Sequence, residues 1–175
     1  MLIQLTNLVG KKIPVSVLVV IYSPNRRFLV LERADKPGYW QSVTGSLDTV
    51  SESPFHAAVR ELFEETGIQA VADEQCGGLF TLSEKDHYAL NRLRTWPHQT
   101  QYEIMSHWLH RYPNGITHNT EHWFFVCIAQ DTPVQINPRE HLQHAWLDAE
   151  QASAVCFSPS NAMAIRVLSQ QLLNA

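Results

Sequence analysis

Glu61, Glu64 and Glu65 stand at i, i+3 and i+4 in a segment that reads as a helix, so their carboxylates project side by side. Like charges at this spacing repel. Two of the three also fall in the last turn, where the helix dipole disfavours negative charge. A solvated surface face gains nothing from such a cluster. A hard divalent cation resolves the conflict, because clustered carboxylate oxygens are the donors that Mg²⁺ or Mn²⁺ takes. Arg60 adjoins the cluster, and a guanidinium there can hold a carboxylate with two N–H donors and fix its rotamer. As an isolated surface pair, Arg60 and Glu52 would contribute under about 1 kcal/mol.

The helix that must carry these acids is well marked. Ser53 is a good N-cap, Pro54 suits the first helical position and Gly67 sits where a left-handed cap belongs. Phe55, Ala58, Val59, Leu62 and Phe63 form an apolar stripe. At about 100° per residue the acids centre roughly 120° away from it. Upstream, Pro14–Ser23 is a β-branched apolar run that suits a strand covered on both faces, and Arg27–Arg33 resumes an extended pattern across Pro24-Asn25. The two predict a hairpin. Trp40–Val43 predicts a short strand ending at Thr44-Gly45-Ser46, and Ile68–Val71 a strand start.

Residues of about 74–100 read as an irregular insertion or lid, whose deletion should spare folding. Gln101–Leu109 and His122–Ile128 predict a second strand pair, and Val134–Ile136 and His144–Leu147 short edge strands. Ala149–Val155 and Ser158–Leu173 predict helices. The expected fold class is α+β, a mixed sheet with two or three helices packed on it, in a single domain over 1–175.

The spacing around the acids adds a resemblance. Gly45, Glu52 and the run Arg60-Glu61-Leu62-Phe63-Glu64-Glu65-Thr66-Gly67-Ile68 are similar to the Nudix box, G-x5-E-x7-R-E-U-x-E-E-x-G-U, with U bulky and aliphatic. One departure exists: six residues rather than five separate Gly45 from Glu52. The stretch WQSVTGS, in place of the usual Pro-Gly-Gly, looks like the branch of that family that hydrolyses dihydroneopterin triphosphate in folate synthesis. So do Glu103–Ser106, His110–Thr120, Glu140-His141-Leu142 and Trp146-Leu147-Asp148.

The resemblance implies an α/β/α Nudix sandwich and a Mg²⁺-dependent pyrophosphohydrolase, with Mn²⁺ as the other ion. Glu61 and Glu65 would be the principal metal ligands, with Glu64 a further or water-mediated one and Glu140 a ligand from outside the box. Arg60 and Glu52 would orient the loop and Glu61. Any of Glu64, Glu65 and Glu140 could be the general base. Substrate contacts would fall on Lys12, Arg33, Thr44, Tyr102, Glu103, Ile104, Met105 and Ser158. Lys12 and Arg33 make electrostatic sense, since a triphosphate needs cations besides the metal. The residues alone also allow plainer readings: a snorkelling Lys12, a strand-end Arg33, a solvated Glu140 and a helix-capping Ser158. Two other functions stand beside the favoured one, a Nudix hydrolase of (d)NTPs or another nucleoside diphosphate derivative and a non-catalytic nucleotide-sensing module.

Composition bounds the rest. The 175 residues are 45% hydrophobic and 17% charged, enough for a packed core. A net charge of -4 argues against nucleic-acid binding through bulk positive charge. No apolar run approaches the roughly 20 residues that span a bilayer, and the first residues lack the order of a secretory signal, so a cytoplasmic protein is expected. Cys76, Cys127 and Cys156 show no CxxC spacing and read as reduced thiols. The nine histidines include three spaced pairs, but HExxH is absent and His107 and His110 fall on an expected strand, where i and i+3 oppose, so no zinc site is expected. Walker A, GxGxxG and GxSxG are absent. Trp40, Tyr102, Trp108 and Trp123 are candidates to stack on a ring or to pack in the core.

Overall fold

The computed structural model describes residues 10–71 and 89–174. Strand β1 (Val15–Tyr22) lies at the heart of its sheet. It runs parallel to β6 (His118–Cys127), from Val15 opposite Thr120 to Tyr22 opposite Cys127. Val17, Leu18, Val19 and Val20 are all essentially inaccessible, which is why their run is continuously apolar rather than alternating.

The hairpin to β2 (Phe28–Arg33) is paired only at Ile21–Leu29 and Tyr22–Phe28, after which the strands part. One segment fills the gap. Its first half, β3 (Trp40–Gln41), pairs with β2, and its second, β4 (Val43–Ser46), pairs antiparallel with β1. Ser42 is the crossing point. Its N–H donates to Asn161 Oδ1 at 2.7 Å and its hydroxyl accepts from Asn161 Nδ2 at 2.8 Å. β7 (His141–Leu147) covers the other edge of β2, and β5 (Leu93–Glu103) closes the sheet beside β6.

Helix α1 (Pro54–Thr66) packs on one face, over Val17, Val19, Leu31, Val43 and Phe124. Helices α2 (Ala149–Val155) and α3 (Pro159–Leu173) cover the other, over Leu18, Val20, Val30, Trp123 and Phe125. The α+β sandwich with its mixed sheet is therefore as the sequence predicts. Among the described residues no helix is long and apolar enough to cross a membrane.

The limits of α1 follow its caps. Ser53 Oγ accepts from His56 N–H at 3.2 Å, and Gly67 adopts φ 70° with its N–H on Phe63 O at 2.8 Å. Its buried face differs from the expected stripe. Ala57, Ala58, Leu62, Glu65 and Thr66 are buried, whereas Phe63 is half exposed. Glu65 thus belongs to the buried face and not to an outward acidic one. The periodicity tracks hydrophobicity, and a buried carboxylate is invisible to it.

Other expectations are corrected. Residues 93–100 are not irregular but belong to β5, which pairs Leu93 with Val126 and Gln99 with His122. The sequence hid this strand because Pro97 sits within it. The ladder is irregular between Thr95 and Gln99, and a bulge is where a strand tolerates proline. Deleting through residue 100 would strip the edge of β6. Residues 74–88 of that segment lie outside the described residues, as does Cys76.

The expected strand Gln101–Leu109 ends at Glu103 and gives way to a 3-10 helix over Ser106–Arg111. His107 and His110 therefore lie on that helix rather than on a strand. Ile68–Val71 contributes only an isolated bridge, Val71 to Arg92. Val134–Ile136 is no strand, though Gln135 N–H donates to Thr66 O at 2.8 Å and its neighbours pack against the α1-side core.

Candidate active site

α1 crosses β4 at Gly45, with no room for a side chain between them. A Cβ there would stand 1.9 Å from both Cδ and Oε1 of Glu61. This close approach explains a glycine whose distance from Glu52 departs from the box. Glu61 Oε1 accepts from Arg60 Nη1 at 2.8 Å. Arg60 also grips both oxygens of Glu52, at 2.9 and 3.2 Å, and donates to Ser46 O at 3.0 Å and to Glu64 at 3.3 Å. Asp48 lies 3.3 Å from the same guanidinium. One side chain thus ties the end of β4, the loop and two helical acids together, and such a network is stiffer than an exposed pair.

Glu65 is 1% exposed. Its Oε1 accepts from Thr44 N–H at 3.1 Å and its Oε2 lies 2.7 Å from His141 Nε2. An ionised carboxylate can only accept, so Nε2 carries the hydrogen, which leaves His141 Nδ1 buried without a partner. Glu140, the residue before it, is exposed, and Asn137 Nδ2 donates to it at 2.8 Å. Ligand atoms of Glu65, Glu140 and His141 all lie within 4.8 Å of one another. Glu64 is half exposed at the rim.

Burial pushes Glu61 up to about 7, against the pull of Arg60 and with Glu65 and Glu64 adding to the rise. Burial also raises Glu65, outweighing its bonds from His141 and Thr44. Carboxylates raised in this way are short of positive charge, and their oxygens suit a hard divalent cation. Glu61, Glu65 and Glu140 would hold it.

A pH dependence follows. In the folded chain Glu61 holds its proton more tightly than the ordinary value of 4.5 allows. Its contribution is therefore fully present below that value and is lost as the pH rises through about 7. Metal-free protein is expected to lose thermal stability over that rise, and Glu61→Gln to flatten the curve. Superimposable melting curves for the two in chelator across about pH 5–8 would overturn this assignment.

Beside the acids opens a cavity of about 640 Å³, walled by β1, β4, β5 with the 3-10 helix, β7 and the start of α3. Lys12, Arg33, Thr44, Tyr102, Glu103, Ile104, Met105 and Ser158, drawn from five separate stretches of sequence, all line it, and so does Glu140. Arg33 is held by Asp35 at 2.7 and 2.8 Å and by Gln41 at 3.2 Å. The Lys12 ammonium is lowered by burial and then by Arg111, with Arg33 adding to the effect. A lysine lowered by neighbouring cations marks a place where an anion is stabilised. Ser158 makes no side-chain cap bond to α3 and instead meets Ser160 at 2.9 Å. Tyr102 and Trp108 line the cavity, whereas Trp40 and Trp123 pack in the core under α2 and α3. Burial pushes the Cys127 and Cys156 thiols up to about 11 and about 12, which leaves them poor nucleophiles.

Sequence reasoning missed Arg111, Glu121 and His141 as parts of this site. His141 carried a signal only as one of a spaced histidine pair and as part of the resembling stretch Glu140-His141-Leu142. Arg111 fell within the resembling stretch His110–Thr120 but had no role of its own there, and Glu121 carried no signal, because it is a single charge whose direction depends on the sheet.

The model of the NUDIX domain family matches residues 12–168. Dihydroneopterin triphosphate diphosphatase of Escherichia coli (strain K12) is 43% identical over 165 residues, 94% of this chain and 95% of its own. The Haemophilus influenzae protein of the same name is 35% identical over 152 residues, 86% of this chain and 84% of its own. A solved structure of the E. coli dihydroneopterin triphosphate pyrophosphohydrolase superposes with a TM-score of 0.72 at 40% identity, covering 94% of this chain and 99% of that one.

Proposed function

The chain belongs to the NUDIX family, and from that membership we propose that it is a Mg²⁺-dependent pyrophosphohydrolase that converts dihydroneopterin triphosphate and water to dihydroneopterin monophosphate and pyrophosphate. The observation that carries this reading is the convergence of Lys12, Arg33, Thr44, Tyr102, Glu103, Ile104, Met105 and Ser158 with Glu140 on one cavity beside Glu61 and Glu65. The named relatives supply the substrate. The whole chain acts as one catalytic domain.

Glu61, Glu65 and Glu140 would hold a divalent cation, which when bound would offset charge on the phosphate oxygens and make a water more acidic. The chain's own residues do the rest. Lys12, Arg33 and Arg111 offset the remaining charge of the triphosphate and hold it in line. Arg60, pinned by Glu52 and Ser46, fixes the Glu61 carboxylate. His141 and Thr44 N–H fix Glu65. Glu64, held by one bond of 3.3 Å, and Glu140, held by one amide, keep free oxygens that can take the proton of the attacking water. We place the protein in the cytoplasm, a reducing compartment that suits the free thiols of Cys127 and Cys156.

The test is pyrophosphate release with Mg²⁺ on dihydroneopterin triphosphate, the common dNTPs and ADP-ribose. A pterin preference of about 10²-fold or more in kcat/KM is expected, a discrimination that a site hydrogen-bonding one particular ring reaches readily. Equal rates on dNTPs would discard the pterin substrate while keeping the hydrolase.

A further inference from the structure

The cavity contains a buried carboxylate that the phosphate chemistry does not use. Glu121 lies in β6, on the face that carries Trp123 and Phe125 into the core under α2 and α3. It lines the cavity yet is only 5% exposed. Trp123 Nε1–H donates to its Oε1 at 2.9 Å, and the Ser160 side chain is its other partner. Both partners are neutral. The two oxygens together can accept about four hydrogen bonds, so capacity remains on the carboxylate. Burial raises the Glu121 carboxyl above the ordinary range, as expected for an acid with no cation to complete it.

Its neighbours form a polar set within apolar walls. Ser16 of β1 pairs in register with Glu121 and also lines the cavity. Asn119, two residues before Glu121 on the same face, donates to Ser16 Oγ at 2.6 Å. Asn119 is 1% exposed, and its Oδ1 has no partner. A buried, unpaired acceptor beside a buried, underused carboxylate costs stability, so a core built for packing alone would not contain the pair. Both seek donors.

The ring end of the proposed substrate offers them. The 2-amino-4-oxopyrimidine edge of a pterin presents a ring N–H and an exocyclic amine N–H side by side. An ionised carboxylate accepts both in parallel, as in its pairing with arginine. Guanine carries the same edge. Adenine and cytosine set an acceptor beside a donor, and thymine flanks a single N–H with carbonyls, so each would leave part of the carboxylate unpaired. We infer that Glu121 is the specificity residue of this cavity, reading the 2-amino-4-oxopyrimidine edge of the substrate ring while Lys12, Arg33 and the acidic cluster take the phosphates. This rests on the reading that the cavity takes dihydroneopterin triphosphate.

Glu121→Gln tests it. Glutamine keeps the shape and can still accept from Trp123, but it offers one donor and one acceptor. It therefore mismatches the pterin edge and matches the cytosine edge. The expected result is a fall of about 10²-fold or more in kcat/KM for dihydroneopterin triphosphate, a parallel fall for dGTP, and an unchanged or higher value for dCTP. Ser160→Ala, which loosens the carboxylate but keeps its charge, should lower the pterin value about tenfold or less and keep the order of preference. An equal loss on all three substrates in Glu121→Gln would show a structural role and overturn the inference, as would no loss at all. Wild-type protein that ignores dihydroneopterin triphosphate would instead overturn the substrate reading. The dGTP-to-dCTP ratio in wild type and variant would then decide the role of Glu121 by the same criterion.

Discussion

Glu65→Gln is expected to lower turnover by about 10²–10⁴, equivalent to about 3–5 kcal/mol of transition-state stabilisation, while the protein remains folded. Glu65 is the acid through which the two halves of the site meet. β4 reaches it through Thr44 N–H and β7 through His141, and Glu140 lies within ligand distance of both. Glutamine can still accept from Thr44, so the local backbone has no reason to move. What is lost is one negative charge in a buried place, and with it the strongest reason for a cation to bind there. Burial already disfavours that charge without metal, so the variant should melt at the same temperature as wild type in chelator, or slightly higher. It should also lose most of the rise in melting temperature that Mg²⁺ gives wild type. Full turnover in the variant with wild-type Mg²⁺ dependence would remove Glu65 from the ligand set.

Gly45→Ala should be almost as damaging to activity and nearly silent in stability. The added Cβ would collide with the end of the Glu61 side chain, not with backbone. Position 45 lies in β4 opposite Val17 in ordinary strand conformation, so alanine is tolerated there. The side chain gives way: the carboxylate swings off Gly45 and loses the Arg60 contact at 2.8 Å. Misplacing a catalytic group by about 1 Å costs on the order of 10²-fold, and that is the expected loss in kcat/KM. Gly67→Ala is the contrasting control. Its φ of 70° requires the left-handed region and a Cβ would press on Gln135, so this substitution should cost about 1 kcal/mol in denaturant unfolding. It leaves Glu61 and Glu65 in place. Activity loss in both variants in proportion to stability loss would show that Gly45 acts only through the fold.

Features that depend on nearest neighbours are legible in the chain's residues alone. Ser53, Pro54 and Gly67 mark the ends of α1 within a residue, because caps satisfy backbone groups of the same helix. The helical repeat then places Glu61, Glu64 and Glu65 together, since i, i+3 and i+4 share a side whatever lies beyond. The apolar run of β1 likewise announces a strand covered on both faces, as the two core clusters on either side of it bear out. Resemblance to the box added roles that spacing cannot give.

Which distant residues join these acids depends on how the sheet assembles. His141 reaches Glu65 because β7 pairs with β2 in one register, and a shift by one residue would point it to the other face. Glu121 faces the cavity through its register with Ser16, while the same charge one position along would point to the α1 side of the sheet. β5 was hidden because Pro97 breaks the local pattern, and the strand survives on long-range pairing to β6. The buried place of Glu65 on α1 was hidden for a related reason: a polar side chain in the core is legible only from what surrounds it. Propensity and capping act over one turn or one strand, whereas register and strand order are set by the packing of the whole sheet, and no window of sequence contains them.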